Sequence, residues 1–126
     1  MDLSSLRYHK AVFIDNEPDR LLNFRRRLRD VKGISVSKSW HNNIEVMNEE
    51  VSKGNAVKFL AESLNIDSSK VIAIGDNEND VSMFKVAGLS IAMGNGDKIA
   101  KEQANVITDT NDEDGVAKAI EKYVFC

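Results

Sequence analysis

The sequence predicts an α/β fold in which a parallel sheet carries helices on its faces. Three observations lead there. Strand-like and helix-like stretches alternate along most of the chain. The run V-I-A-I at 71–74 is continuously apolar, as in a strand buried on both faces. It stops abruptly at Gly75 and Asp76, and open α/β sheets gather ligands at the carboxyl ends of such strands.

With 126 residues, 42% of them hydrophobic, the chain suits a compact domain with a real core. A net charge of −3, from 17 basic and 20 acidic residues, argues against nucleic-acid and membrane partners. No apolar run approaches the length that spans a bilayer. The single cysteine, Cys126, cannot form an internal disulfide, and no leader-like segment opens the chain, so a cytoplasmic location is expected.

Residues 1–9 show no periodicity and read as an extended lead-in. K-A-V-F-I at 10–14 predicts a strand, followed by D-N-E-P-D and a helix over 17–31. Leu21, Phe24, Leu28 and Val31 share one face of that helix, while Arg20, Arg25, Arg26, Arg27 and Arg29 spread over the others. No aromatic residues alternate with these arginines, so they read as a solvated face. Gly33 ends the helix, and 34–39 with 43–47 predict a hairpin turning around Trp40, His41 and Asn42. His9 and His41 each lack a neighbouring Cys or second His and read as surface residues.

Ser52 is positioned to cap a helix whose buried stripe is Ala56, Val57, Leu60, Ala61 and Leu64. Lys53 falls in its first turn, where the helix dipole opposes a cation. Either the lysine is an exposed residue tolerating that penalty, or it is placed there for something other than helix formation.

At the centre, Gly75 lets the backbone turn, and Asn77 or Asn79 can cap a helix over 80–86. Asp76, Glu78 and Asp80 offer hard carboxylate oxygens within one turn, a donor set for Mg²⁺ rather than Zn²⁺. Spacing alone fits a capped strand-to-helix turn equally well. Beyond it, 89–93 predicts a strand, 97–104 a helix, 105–108 a short strand and 113–124 a last helix with Val116, Ile120 and Val124 on its core face.

The order G-D-x-x-N-D-x-x-M, here Gly75, Asp76, Asn79, Asp80 and Met83, resembles the fourth motif of haloacid dehalogenase superfamily phosphatases, in their Cof-like sugar-phosphatase branch with a type IIB cap. The likeness extends from V-S-K-G-N-A through A-G-L-S-I-A-M-G-N-G to T-N-D-E-D-G-V-A-K-A-I. It implies the C-terminal half of a Rossmann-like core over 51–126, preceded over 1–50 by part of an α/β cap. Lys53 matches the third-motif lysine, Asp76 a metal-ligand aspartate, Asp80 the second acidic position supporting the metal, and Asn79 a phosphate-side contact. Gly96 departs from the alanine usual there, which is expected to loosen that turn without touching the chemistry.

The resemblance implies an Mg²⁺-dependent phosphoric monoester hydrolase acting on a small phosphorylated metabolite such as a sugar phosphate. The D-x-D-G-T motif that would supply its nucleophile is absent from the sequence, as is the threonine or serine motif that follows it. The chain therefore reads as about half of a phosphatase, inactive alone, which self-associates or docks with the N-terminal half. Asp15 follows an apolar strand as a nucleophile should, yet it is followed by N-E-P-D. Two other classes are a non-catalytic metal-binding or regulatory module and a receiver domain. The receiver is suggested by F-I-D-N-E-P-D but lacks a phospho-accepting aspartate near Met47.

Overall fold

The computed structural model describes residues 8–125, so most of the lead-in and Cys126 lie outside the described residues. The chain forms two compact units, Met1–Val51 and Ser52–Cys126.

The first unit contains β1 (Ala11–Ile14), α1 (Pro18–Leu28), β2 (Ile34–Ser37) and β3 (Asn43–Asn48). Its sheet is antiparallel, in the order β1-β3-β2. The predicted hairpin is present, with Val36 opposite Val46, and its turn is held by the Asn43 side chain, which accepts the N–H groups of Ser39 and Trp40 at 3.1 Å each. α1 begins where Pro18 presets the helical φ and the Asp15 carboxylate accepts the Glu17 N–H at 2.9 Å. It stops at Leu28, short of the expected Val31, and Gly33 at φ +79° delivers the chain to β2. Leu21, Phe24 and Leu28 are half-buried and Phe24 packs on Phe13 with ring centroids 4.6 Å apart, whereas Val31 is exposed. Glu45 is buried on the central strand, satisfied by Lys10 at 3.0 Å and the Ser39 hydroxyl at 2.7 Å.

The second unit runs α2 (Lys53–Ser63), β4 (Ile72–Gly75), α3 (Val81–Phe84), β5 (Leu89–Ala92), α4 (Lys98–Gln103), β6 (Val106–Ile107) and α5 (Gly115–Tyr123). Its sheet is parallel, ordered β4-β5-β6, with Ile72 opposite Leu89 and Ile91 opposite Val106. This is the α/β architecture that the alternating pattern predicts. Ala73, Phe84 and Ala100 form a core cluster on which Met83, Ala87 and Ala104 pack. Ser90 and Asn105 lock β5 to the approach of β6 through three hydrogen bonds that involve their side chains and one between their main chains, all of 2.8 to 3.0 Å.

Three expectations about burial fail, the first because of the strand's place in the sheet and the other two because of small residues on the helices. β4 is an edge strand of the described sheet, so Ala73 and Gly75 are buried while Ile72 and Ile74 are only half-buried. On α2, Ala61 is buried and Val57 half-buried, but Leu60 and Leu64 are each 58% exposed. On α5, Gly115 and Ala119 are buried, leaving Val116, Ile120 and Val124 outside. Both helices approach through small residues. A Cβ on Gly54 would lie 2.3 Å from the Ser82 carbonyl oxygen, and one on Gly115 would lie 2.1 Å from that of Asp109. Helical periodicity identifies an apolar stripe but not the close contact that decides which face turns inward. Among the described residues no helix is long and apolar enough to cross a membrane.

Candidate active site

The site is built where β4 ends. Instead of one helix over 80–86, a 3₁₀ turn at Glu78–Asp80, with Asn77 at its N-cap, leads into the short α3. This tight turn brings the Asp80 carboxyl back over the strand end. A Cβ on Gly75 would lie 2.5 Å from Asp80 Cβ and 2.6 Å from Oδ2, so only glycine leaves room for it. Oδ2 of Asp80 accepts the backbone N–H of Asp76 at 2.8 Å and that of Asn77 at 3.1 Å. Oδ1 accepts from the Lys53 ammonium.

Asp80 is only 2% exposed. Burial pushes its pKa up, but the Lys53 hydrogen bond, the two backbone N–H groups and the charge of Lys53 together outweigh burial and hold it below the usual carboxylate value. The group is therefore an ionised buried carboxylate whose charge is matched and whose lone pairs are used.

Lys53 owes its place to the cap of α2. Ser52 accepts the Asn55 N–H at 3.1 Å, fixing the helix start one residue before the lysine. Its side chain, half exposed, also stands 3.5 Å from Asn79 Oδ1. The ion pair with Asp80 accounts for a cation in an otherwise unfavourable first turn.

Asp76 is exposed at the strand end, with its Oδ2 accepting the Asn77 side-chain amide at 3.3 Å. Its main chain is clamped from the other side, since its carbonyl accepts the Asp97 N–H at 2.8 Å. Gly96 is pressed against it, for a Cβ there would lie 3.0 Å from the Asp76 carbonyl oxygen and 2.9 Å from that of Met93. Gly96 therefore lies directly against the main chain of Asp76. Gly54, Ser82 and Asp97 also support the site without belonging to the motif: Gly54 through its close approach to the Ser82 main chain, Ser82 through its hydroxyl, and Asp97 through its N–H to the Asp76 carbonyl.

Lys53, Asp76, Asn79 and Asp80 are brought together as the motif spacing suggests. Asp76, Glu78 and Asp80 do not form a ready metal cage: among the described residues no three His, Cys, Asp or Glu side chains converge to hold an ion. The exposed Asp76 carboxylate fits Mg²⁺ by its donor chemistry, while Asp80 has both oxygens engaged within the protein. Within the first unit, the Asp15 carboxylate is bonded to the Glu17 N–H and paired with Arg20 at 3.0 Å, and β1 pairs with β3.

An exposed carboxylate and a half-exposed lysine thus stand at the end of a parallel strand, with the second acidic residue buried behind them, where open α/β sheets gather ligands. The chain belongs to the haloacid dehalogenase-like hydrolases, whose family pattern matches residues 2–120. It is 46% identical over 98 residues to the 5-amino-6-(5-phospho-D-ribitylamino)uracil phosphatase YcsE of Bacillus subtilis, covering 78% of this chain and 39% of that protein. It is 47% identical over 76 residues to the phosphoglycolate phosphatase of Archaeoglobus fulgidus, covering 60% of this chain and 34% of that protein. A haloacid dehalogenase-like hydrolase structure from B. subtilis superposes with a TM-score of 0.86 at 34% identity, covering 92% of this chain and 40% of that one. The chain thus spans between about a third and two-fifths of the relatives it matches. The receiver alternative is set aside by this family membership.

Proposed function

We propose that this chain supplies the lysine and metal-side half of an Mg²⁺-dependent phosphoric monoester hydrolase whose substrate is a small phosphorylated metabolite, a sugar phosphate by class. The observation that carries the reading is the ion pair between half-exposed Lys53 and buried Asp80 at the end of β4, beside the exposed carboxylate of Asp76. Lys53 has three donors and can turn its exposed side to phosphoryl oxygens while Asp80 holds it. Asn79, next to Lys53, serves as a further phosphate contact. Asp76 is a direct Mg²⁺ ligand, and Asp80 supports the metal site through the backbone of Asp76 and Asn77. Mg²⁺ in such a site offsets negative charge on the transferring phosphoryl group.

The sequence contains no D-x-D-G-T, so the nucleophilic aspartate comes from polypeptide other than these residues. Its oxygen forms a bond to phosphorus as the bond to the ester oxygen breaks, and that oxygen leaves as an alcohol after taking a proton. Water then hydrolyses the acyl-phosphate, releasing phosphate and regenerating the aspartate. Residues 1–50 act as part of a cap over the substrate, and the protein works in the cytoplasm. The names of the relatives, phosphatases of a ribitylaminouracil phosphate and of phosphoglycolate, support a small organic phosphate as substrate.

A second reading is a non-catalytic metal-binding or regulatory module, favoured by the lack of a three-carboxylate cluster among the described residues. Hydrolysis of p-nitrophenyl phosphate with Mg²⁺ separates the two. The chain alone is expected to show background rates. Combined with a polypeptide that carries the D-x-D-G-T motif, it is expected to turn over substrate, with loss in Lys53→Ala and Asp76→Asn. A stable complex without turnover supports the module. Turnover by the chain alone that vanishes in Asp15→Asn overturns the missing-nucleophile account.

A further inference from the structure

Lys53 reaches Asp80 only if the start of α2 is held against the loop that follows β4. The two meet with no side chain between them: Gly54 is buried, and any Cβ there would strike the Ser82 main chain. As the second residue of α2, Gly54 has an N–H with no acceptor inside its own helix. It donates instead to Ser82 Oγ at 3.0 Å, and the Ser82 hydroxyl in turn donates to the Asn79 carbonyl at 3.3 Å. One half-buried hydroxyl therefore bridges the residue after Lys53 to the residue before Asp80.

We infer that Ser82 is a positioning residue for Lys53, acting through the Gly54 N–H and the Asn79 carbonyl. The Ser52 cap does not do this, because it satisfies α2 from within its own segment and makes no bond to the loop. Without the bridge, the Gly54 N–H is left unpaired in a buried place, and regains an acceptor only by moving away from the loop. The lysine stem is long and flexible, so a small shift at its base releases the ammonium from Asp80. Ser82 lies on the face of α3 turned toward α2, whereas Phe84 turns into the core, so the hydroxyl is separable from core packing.

The inference rests on the role proposed for Lys53, and its test is read without catalysis. Proton exchange at the Lys53 ammonium is followed by nitrogen-detected magnetic resonance of the whole chain, with exposed Lys58 as the internal free lysine. In Ser82→Ala the Lys53 exchange rate is expected to rise about fivefold, the effect of losing one net hydrogen bond. Ser82→Thr, which keeps the hydroxyl, is expected to restore slow exchange. Ala119→Gly, in α5, is a control for general loss of stability and is expected to leave Lys53 slow. Unchanged Lys53 exchange in Ser82→Ala, or an equal rise in Ala119→Gly, overturns the inference. Should Ser82→Ala not fold, Ser82→Cys is read in its place, with the weaker thiol expected to give a smaller rise and no rise overturning the inference. A parallel titration with inorganic phosphate and Mg²⁺ reports on the other reading. If the wild-type Lys53 signal does not respond, the phosphatase assignment fails while the Ser82 result stands on exchange alone.

Discussion

The carboxylate of Asp80 accepts the backbone N–H of Asp76 at 2.8 Å, so the buried acid of the motif holds the main chain of the exposed one. Its other oxygen holds Lys53. Asp80 thus ties the main chain of Asp76 to the side chain of Lys53, and its ionisation should be visible in stability.

Asp80 is held below the ordinary carboxylate value of 3.8, so its charged form contributes stability above that pH. The contribution is lost as pH falls through the depressed folded-state value. In metal-free buffer, the melting temperature of the wild type should therefore fall on acidification below about pH 4. Asp80→Asn should melt lower at neutral pH and show a shallower acid limb. Asp67, lowered by its bonds to Ser69, titrates in the same direction, so the difference between the two curves isolates Asp80. Parallel acid limbs would show that Asp80 contributes no such linkage.

Gly75→Ala places a methyl where the Asp80 carboxyl stands, 2.5 Å from its Cβ. Neither β4 nor the 3₁₀ turn can yield without breaking the Asp76 and Asn77 hydrogen bonds. A loss of about 2 kcal/mol or more in denaturant unfolding is expected. Gly33→Ala is a comparison at a site with open space, where the left-handed φ of +79° is the only obstacle, and it should cost about 1 kcal/mol. Equal costs at the two positions would contradict the steric account.

β4 is an edge strand of the described sheet, and the apolar residues Leu60 and Leu64 of α2 and Ile120 and Val124 of α5 are exposed. A strand edge with apolar surface on the same unit favours association. Light scattering at micromolar concentration should show species larger than one chain, and Leu64→Lys with Val124→Lys should shift it toward monomer without lowering the melting temperature. A wild type that remains monomeric would remove this surface from consideration.

The parallel sheet of the second unit was legible because its strands are short and alternate with helical patterns. Lys53, Asp76, Asn79 and Asp80 could be named in advance because their side chains match the motifs that the resemblance rests on, and the structure places them around the end of β4. What escaped the sequence depends on contacts of the main chain. Gly54 and Gly115 choose the inward faces of α2 and α5, so Leu60, Leu64, Val116 and Ile120 point outward despite ideal spacing. Glu78 shares the acidic turn with Asp76 and Asp80, but a 3₁₀ turn separates carboxylates that spacing alone places together. The antiparallel pairing of β1 with β3 was equally hidden, because a strand pattern does not name its partner.

The central claim is that the end of β4 is a divalent-cation site centred on Asp76. It is tested most directly by adding Mn²⁺, as a paramagnetic stand-in for Mg²⁺, and following line broadening of the backbone amides. Binding in the millimolar range is expected, because few protein ligands converge there. The account predicts broadening strongest at Asp76 and Asn77, competed away by Mg²⁺ and abolished in Asp76→Asn. Broadening centred on another acidic segment, or unchanged in Asp76→Asn, would contradict it.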